Sequence, residues 1–302
     1  MSYAAPVIHY TFDTDGTNSG SLGASLNITT IPSDITFDSS NKLIGDKALR
    51  VFSPNNSGRA SNSNRTIIPT WITPVNGMTI SQWQKMESYV GQGQSIISGW
   101  AGGVVFAFVI WNTSTSIFLY HNPTNYTVTI PNLFDNKYHH FIFRITSTDL
   151  TLYIDNVSYG SYSFTTLTNK SVTNTYIGSR ENGDYVANGY IDDFRVYDYA
   201  ADTTMIDMIY KLGKNTDVAS LSGATMSSLQ NAGATMSQLI TAGISITDLL
   251  NVYTVAELVA ANVTVADLLA AGVTQIEIDI ALTQIKIHSD FTISDGTNDS
   301  IF

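Results

Sequence analysis

Residues 138–158 read YHHFIFRITSTDLTLYIDNVS and carry the clearest strand pattern in the chain. Alternate residues of the first half share one face of a predicted strand: His139, Phe141, Phe143 and Ile145. Alternate residues of the second half do the same: Leu150, Leu152 and Ile154, with Thr151, Tyr153 and Asp155 on the opposite face. The pair Asp155-Asn156 suits a tight hairpin turn before Val157. The stretch therefore predicts antiparallel strands.

Short apolar runs of the same kind recur through the first two hundred residues, separated by Gly, Asn, Asp, Ser and Pro. The predicted strands are Val7–Phe12, Ala48–Phe52, Met78–Met86, Val104–Trp111, Ser116–Tyr120, Tyr126–Ile130, Tyr138–Thr146, Leu150–Ile154, Asn174–Ile177 and Tyr190–Tyr197. No long helical pattern interrupts them. Many antiparallel strands without crossover helices favour a two-sheet sandwich or jelly roll.

The last ninety residues follow a different pattern. After a predicted helix at Ala201–Leu212, a unit recurs every ten residues, with one nine-residue step near Tyr253. The predicted N-caps are Thr225, Thr235, Ser245, Thr254, Thr264 and Thr274. A polar or acidic residue stands three positions after each, as in a capping box, and Ala-Gly or Ala-Asn suits a left-handed stop. Such short helices are unstable alone, so they are expected to stack as repeats and bury their Leu, Ile and Val side chains.

The sequence thus predicts a mainly β chain in three parts. Residues 1–213 form the antiparallel jelly-roll sandwich, residues 214–280 a small all-α repeat segment, and residues 281–302 a C-terminal tail. The conformation from Gln275 onward is open. Alternating isoleucines favour a strand, whereas Thr274 with Glu277 favours a further helix.

The charge and composition of the chain exclude several classes of function. Residues 1–213 have 12 Lys and Arg against 16 Asp and Glu, and residues 214–302 have 2 against 9. The net charge of -11 disfavours a nucleic-acid partner. The absence of cysteine removes disulfides, thiolate metal sites and Cys nucleophiles. The sequence shows no signal peptide and no apolar run as long as a membrane span, so membrane insertion is not expected.

Six blocks of the first part resemble, in order, strands of concanavalin A-like, laminin G-type domains. They are Val7–Asp13, Gly45–Val51, Gly77–Trp83, Tyr138–Phe141, Leu152–Asn156 and Asn188–Tyr197. Tyr138 stands where the family usually has Trp, and Asn156 where it usually has Gly. The resemblance covers about residues 7–210 and implies a two-sheet jelly roll that often binds carbohydrate and sometimes calcium.

A calcium site is one hypothesis that this resemblance supports. The first and last strands of the fold usually run close together, which would bring Asp13 and Asp15 near Asp192 and Asp193. Calcium favours several carboxylate and carbonyl oxygens. The alternative is that Asp13 and Asp15 form Asx turns, while backbone groups satisfy Asp192.

Sugar binding is the second hypothesis, because it uses aromatic rings beside Asn or Asp. Trp71, Trp100, Tyr126 and Tyr185 lie in or near predicted loops, whereas Trp83 and Trp111 are expected in the core. The alternative is that these loop aromatics pack against the sheet edge.

Catalysis is not expected, because a glycosidase needs two carboxylates that flank one bond. The first part has only Glu87 and Glu181 as glutamates, and no E-x-D-x-x-E arrangement. The adjacent Asp192 and Asp193 are expected on opposite faces of a strand. His139-His140 are likewise expected to split, with one packed and one exposed, and no nucleophile-elbow motif surrounds them.

The favoured hypothesis is a non-enzymatic binding or structural protein of a virion, either capsid-associated or for attachment. The ten-residue units are similar to arrays in proteins of large DNA viruses. In this hypothesis the sandwich contacts a glycan or another protein and the repeats mediate assembly, on a virion or extracellular surface. The alternative is a cellular calcium-dependent carbohydrate-binding module. The sequence leaves the oligomeric state open.

Overall fold

The computed structural model describes residues 4–13, 15–23, 27–28, 36–52, 66–68, 77–88, 93–100, 104–110, 115–121, 124–163, 174–180, 185–215 and 217–291. The chain divides into two compact units. The first comprises Met1–Thr216 with Asn231–Gly233, and the second comprises Asp217–Gln230 with Ala234–Phe302.

The first unit is built from strands, all paired antiparallel. They are β1 Ile8–Tyr10, β2 Thr36–Asp38, β3 Ala48–Val51, β4 Thr66–Ile68, β5 Met78–Met86, β6 Gln94–Trp100, β7 Val104–Ile110, β8 Ser116–His121, β9 Thr124–Thr129, β10 Tyr138–Ile145, β11 Asp149–Ile154, β12 Val157–Ser163, β13 Asn174–Ile177 and β14 Gly189–Tyr197. The first sheet has the order β12-β11-β10-β5-β14-β3-β2, and β1 also pairs with β14. The second sheet has the order β4-β13-β6-β7-β8-β9.

This architecture confirms the predicted two-sheet antiparallel sandwich. The predicted bounds of β5 and β13 are correct to the residue, and the expected closeness of the first and last strands is seen in the β1–β14 pairing. Four strands were not predicted: β2, β4, β6 and β12. In β6 a register shift between Ser95 and Ile97 interrupts the alternation, and β12 is largely exposed and polar, so neither shows a clear period of two.

The core lies between the two sheets, where the inward-facing apolar residues of the strands meet. Phe143 of β10 and Phe108 of β7 are both buried, and their rings stack with centroids 4.3 Å apart. Because the two rings belong to different sheets, this contact joins the layers. The outer face of a sheet is the side that points away from this core.

The predicted hairpin turn is present between β11 and β12. Asp155 and Asn156 have φ values of 50° and 66°, and Ile154 pairs with Val157. Two successive residues with positive φ suit the right-handed twist of a hairpin, and Asx residues adopt this conformation more readily than others. Asn156 therefore fills the position where the resembled family usually has Gly.

The helix α1, Thr203–Lys214, covers part of the outer face of the first sheet. Asp202 caps it by accepting a hydrogen bond from the Met205 N–H, and Lys211 and Lys214 lie in its last turn. Tyr210 stacks on Trp83 of β5, with ring centroids 5.6 Å apart. Trp83 is thus buried as predicted, although it lies under the helix and not between the sheets.

The second unit is a series of short helices. They are α2 Met226–Asn231, α3 Met236–Thr241, α4 Ile246–Leu249, α5 Val255–Ala260, α6 Val265–Ala270 and α7 Gln275–Phe291, after a 3-10 turn at Val218–Leu221. The predicted N-caps Thr235, Ser245, Thr254 and Thr264 each accept a hydrogen bond from the N–H three residues later. One leucine is fully buried in each of the helices α2–α6: Leu229, Leu239, Leu249, Leu258 and Leu268. Positive φ at Gly233, Gly243, Asn262 and Gly272 supplies the expected left-handed stops.

The segment after Thr274, which the sequence left open, is a helix as far as Phe291. The Thr274 N–H and hydroxyl both donate to Glu277 Oε2, at 2.8 and 2.7 Å. This N-terminal cap favours the helix, whereas the alternating isoleucines would suit a strand only if a partner strand were present. Residues 292–302 of the predicted tail lie outside the described residues. No helix in the described part of the chain has the length and apolar character needed to cross a bilayer.

We expect Phe143→Ala to lower the free energy of unfolding by about 3–5 kcal/mol, because the lost ring leaves a cavity between the sheets. The matched control is Val157→Ala, since the Val157 side chain is 57% exposed and its change should stay within about 0.5 kcal/mol. Urea unfolding followed by tryptophan fluorescence measures both variants. An equal loss in the two would contradict the packing described here.

Candidate functional site

The four aromatic residues proposed for sugar binding have different surroundings. Trp71 lies outside the described residues, and only the backbone of Trp100, at the end of β6, is described. Tyr126 of β9 packs against the core and donates its hydroxyl to the Ser163 carbonyl at 2.7 Å. Tyr126 thus follows the alternative of packing at a sheet edge. Tyr185 lines a concavity on the outer face of the second sheet.

This concavity, called the aromatic face below, is lined by side chains from three neighbouring strands and the segment before β14. The lining residues are Ala107, Val109, Phe118, Tyr120, Asn125, Arg180 and Tyr185. In β8 the apolar Ile117 and Leu119 are buried in the core, so alternation places Phe118 and Tyr120 on the outer face. The volume is about 280 Å³, close to the lower end of ligand pockets.

The aromatic face combines flat apolar rings with polar groups. The rings of Phe118 and Tyr120 are nearly parallel, with centroids 6.2 Å apart. The Arg180 guanidinium lies 4.9 Å from the Tyr185 ring centroid, within the range of a cation–π contact. The Tyr185 carbonyl accepts from the Ser95 N–H at 2.7 Å, which fixes this residue against β6. The arrangement can therefore offer ring faces together with a guanidinium and the amide of Asn125.

Sequence reasoning identified Tyr185 and missed the other residues of this face. The signal for Phe118 and Tyr120 was present, because they alternate with the core residues Ile117 and Leu119. Aromatic residues on the non-core side of a strand are a pattern that indicates a functional face. Arg180 carries no comparable local signal.

The four carboxylates proposed for calcium each contact protein groups. Asp15 Oδ1 accepts from the Thr17 N–H at 2.7 Å, as in an Asx turn. Asp192 Oδ2 accepts from the N–H groups of Leu43 and Ile44, at 2.8 and 3.1 Å. These two contacts match the alternative that the sequence left open.

Asp13 holds the same loop as Asp192. Its Oδ1 accepts from the N–H groups of Asp46 and Lys47. The described residues include no group of three or more His, Asp or Glu side chains that could hold a metal ion. Calcium binding therefore stays a prediction that rests on the resemblance.

The prediction that Asp192 and Asp193 point to opposite faces was wrong, because β14 contains a bulge. Asp192 pairs with Trp83 and Arg195 pairs with Ser81, so β14 has one residue more than β5 between these pairs. Asp193 is the bulged residue, and its backbone has a φ of 49°. Its Oδ1 accepts from Arg195 Nε at 2.8 Å, which places it on the same outer face as Arg195 and Asp192.

The two aspartates have opposite electrostatic environments. Burial raises the pKa of Asp192 to about 8, although the Ile44 and Leu43 N–H groups act in the opposite direction. Burial alone would also raise the pKa of Asp193, but Arg195 and His9 hold it well below its usual range. Near neutral pH, Asp192 is thus largely protonated and Asp193 is ionised.

The glutamates and histidines of the first part do not form a catalytic arrangement among the described residues. Glu87 forms an ion pair with Arg50 at 2.9 Å, and Glu181 lies outside the described residues. His140 is buried, and its Nε2 lies 2.8 Å from the Ser81 hydroxyl. Burial lowers the pKa of His140 to about 3, and its Nδ1 has no hydrogen-bond partner among the described residues. This buried pair therefore lacks the orienting acid of a catalytic triad.

One of the two adjacent histidines was expected to be exposed, but the side chain of the neighbouring His139 is only 14% exposed. His139 Nδ1 lies 2.7 Å from Asp155, and its Nε2 lies 3.0 Å from Asp135. Burial alone would lower the pKa of His139, but these two hydrogen bonds outweigh it and raise the pKa.

The family comparison agrees with this architecture. Residues 58–207 match the family model of the concanavalin A-like lectin/glucanases superfamily. No curated protein sequence matches the chain.

Solved structures with a similar fold include binding domains. Domain 4 of AbnA, a GH43 extracellular arabinanase from Geobacillus stearothermophilus, was solved in complex with arabinotriose. It has a TM-score of 0.50 and 21% identity, over 67% of this chain and 96% of that one. The binding domain of botulinum neurotoxin serotype G has a TM-score of 0.51 and 14% identity, over 68% and 50%. The binding domain of Paraclostridial Mosquitocidal Protein 1 has a TM-score of 0.51 and 13% identity, over 68% and 52%.

These similarities show the sandwich fold alone. The chain spans only about half the length of the two toxin binding domains.

We expect the stability of Asp192→Asn relative to the wild type to increase with pH. Between the ordinary pKa of 3.8 and the folded value of about 8, the folded wild type holds a proton that the unfolded chain releases. Wild-type stability therefore falls as pH rises through this window, whereas asparagine does not titrate. Urea unfolding at about pH 5 and about pH 9 measures the difference.

The control for this experiment is Asp46→Asn, which removes a carboxylate from a side chain that is 88% exposed. It reports the effect of the changed net charge alone. A stability difference for Asp192→Asn that stays constant across the window would mean that Asp192 is ionised in the folded protein.

Proposed function

We propose that the sandwich is a non-catalytic glycan-binding module and that the aromatic face binds the glycan. The observation that carries this proposal is the concavity that brings Phe118, Tyr120 and Tyr185 together with Arg180 and Asn125. Ligand sites for small molecules are concave and mostly apolar, with a few polar groups that fix orientation.

The chemistry of a sugar ring matches this set of groups. One side of a pyranose or furanose ring is lined by C–H groups and can stack on an aromatic ring, which has a negative face. The hydroxyls at the ring edge can bond to a side-chain amide or a guanidinium, which offer several donors. In the aromatic face, Phe118, Tyr120 and Tyr185 would supply the stacking surface, and Asn125 and Arg180 the edge contacts.

The structural neighbours support this proposal. The arabinanase domain is bound to arabinotriose, and it is similar to this chain over nearly its full length. The two toxin domains are binding domains rather than catalytic domains. The similarity supports a binding role for the sandwich, while the residues of the aromatic face support a glycan as the ligand.

We also propose that the second unit mediates assembly with other proteins, as in a capsid-associated or attachment protein of a virion. One observation favours this role. Apolar side chains near the end of the unit are exposed: Val265 by 39%, Leu269 by 45%, Ile276 by 72% and Ile280 by 53%. Val265 and Leu269 belong to α6, and Ile276 and Ile280 to α7, and exposed apolar residues of this kind favour a protein contact.

We expect Tyr120→Ala and Tyr185→Ala each to weaken glycan binding about tenfold or more, which corresponds to about 1.4 kcal/mol. The full-length chain would first be screened on a glycan array, and hits together with arabinotriose would be measured by calorimetry. The matched control is Tyr153→Ala, which removes a half-buried tyrosine from the outer face of the other sheet.

Both calcium and a chelator are included in this screen. Binding that is lost on chelation would favour the calcium-dependent module over the virion protein. Binding that survives in both tyrosine variants would contradict the aromatic face as the site.

A further inference from the structure

A second concavity lies on the outer face of the first sheet, beside α1. Its volume is about 570 Å³, roughly twice that of the aromatic face. We call it the lysine groove, because its lining includes Lys42, Lys85, Lys137 and Lys214. It is formed within the first unit by the loop before β3, by β5, by the start of β10 and by the end of α1.

The charge of the lysine groove is opposite to that of the chain. The sequence has eight lysines and a net charge of -11, yet four of the eight lysines line this one groove. Among the described lining residues, Asp155 is the only carboxylate. Its two oxygens are already engaged, because Oδ2 pairs with His139 Nδ1 and Oδ1 accepts from the His140 N–H at 2.9 Å.

Two of these lysines, Lys42 and Lys137, have weak ties to acidic residues. Lys42 lies 3.8 Å from Asp46, and Lys137 lies 3.6 Å from Asp135, in pairs that are largely exposed. Exposed pairs of this kind contribute little free energy. An anionic ligand in the groove could therefore pair with Lys42 and Lys137 with little loss of free energy from their existing ion pairs.

One wall of the groove is held in place before any ligand binds. Asn41 accepts from Lys85 Nζ at 2.9 Å and donates to the Tyr190 hydroxyl at 3.0 Å. The Tyr138 hydroxyl donates to the Asn41 carbonyl. The same loop is fixed by Asp192, which accepts from the Leu43 N–H. A preformed wall reduces the entropy that a ligand must lose on binding.

Aromatic rings form another side of the groove. The rings of Trp83, His140 and Tyr210 form a cluster. The Trp83 centroid lies 4.5 Å from that of His140 and 5.6 Å from that of Tyr210, and the last two are 5.7 Å apart. Lys214 Nζ lies 5.7 Å from the Tyr210 ring centroid. Charged groups thus stand next to ring surfaces, an arrangement that suits a ligand with both anionic and C–H groups.

We propose that the lysine groove binds an anionic saccharide, that is, one carrying carboxylate or sulfate groups. The four lysines recognise the anionic groups, and the rings and Asn41 contact the sugar ring and its hydroxyls. A concave site of about 570 Å³ fits a small ligand or the end of an oligosaccharide. A folded protein partner would instead need a contact surface of about 800 Å² on each side. The inference does not rest on the aromatic face, which lies on the other sheet.

The test uses the full chain and two triple variants with the same change in net charge. The groove variant is Lys42→Gln, Lys137→Gln and Lys214→Gln. Lys85 is kept, because it holds Asn41 in place. The control variant is Lys47→Gln, Lys211→Gln and Lys286→Gln, three lysines that do not line the groove.

The probes are a heparin-derived hexasaccharide, which carries sulfate, and trigalacturonic acid, which carries only carboxylates. Arabinotriose is the neutral probe. We expect at least one acidic probe to bind, and its Kd to rise about tenfold or more in the groove variant and less than about twofold in the control. Binding should also weaken with added salt, because exposed charges are screened over about 10 Å at 0.1 M ionic strength.

The outcomes separate this inference from the aromatic face. Acidic binding that is lost in the groove variant but kept in Tyr120→Ala supports the lysine groove, whether or not neutral glycans bind at all. Absence of acidic binding overturns the inference, and so does an equal loss in the two lysine variants. Acidic binding that is lost in Tyr120→Ala but kept in the groove variant also overturns it, because the ligand then binds to the aromatic face.

Discussion

The sandwich depends on a buried ion cluster that joins its first and last strands. Asp193 Oδ1 accepts from Arg195 Nε at 2.8 Å and lies 2.9 Å from His9 Nε2 in β1. The Asp193 and Arg195 side chains are only 3% and 2% exposed, so removing either would leave the other as an uncompensated buried charge. His9 is 14% exposed, and its removal would take one hydrogen bond from the Asp193 carboxylate. The cluster requires the bulge at Asp193. β3 pairs with β14 before this bulge and β1 pairs after it, so one irregular residue organises two strand pairings.

The same bulge links the fold to the lysine groove. Because Asp193 takes up the extra residue, Asp192 stays on the outer face and reaches the loop at Leu43 and Ile44. This loop carries Asn41 and Lys42 into the groove. Three of the residues that the sequence suggested as metal ligands, Asp13, Asp15 and Asp192, accept backbone N–H groups. The fourth, Asp193, accepts from the Arg195 side chain. Such acceptors satisfy donors that would otherwise be buried without a partner.

The sequence was sufficient to predict the sandwich, because period-two alternation reflects burial between two sheets. β5 and β10 show this directly, since their core residues alternate with residues on the outer face. The sequence was not sufficient to predict which face each residue of β14 occupies, because the alternation fails at Asp193. A bulge depends on the pairing of three strands, which a local pattern does not contain. The capping residues Thr235 and Thr254 were correctly predicted, because a capping box is a contact between residues three positions apart.

The residues of the candidate sites could be predicted only where a short stretch of sequence, such as one strand or one loop, contains the signal. Phe118 and Tyr120 follow from the alternation of β8, and Tyr185 from its loop composition. The lysine groove has no such signal, because Lys42, Lys85, Lys137 and Lys214 lie far apart in the sequence and only the topology brings them together.

Both concavities use the outer faces of the sheets, and this placement follows from the physics of the sandwich. The inner faces are filled by contacts such as that between Phe108 and Phe143, and a change there alters the packing of both layers. A residue on the outer face of a strand has its neighbours fixed by the pairing, yet it can change chemically without disturbing the core. The chain can therefore present aromatic rings on one sheet and lysines on the other. Because Phe118, Tyr120 and Lys85 stand on paired strands, their geometry is held more rigidly than it would be on loops alone.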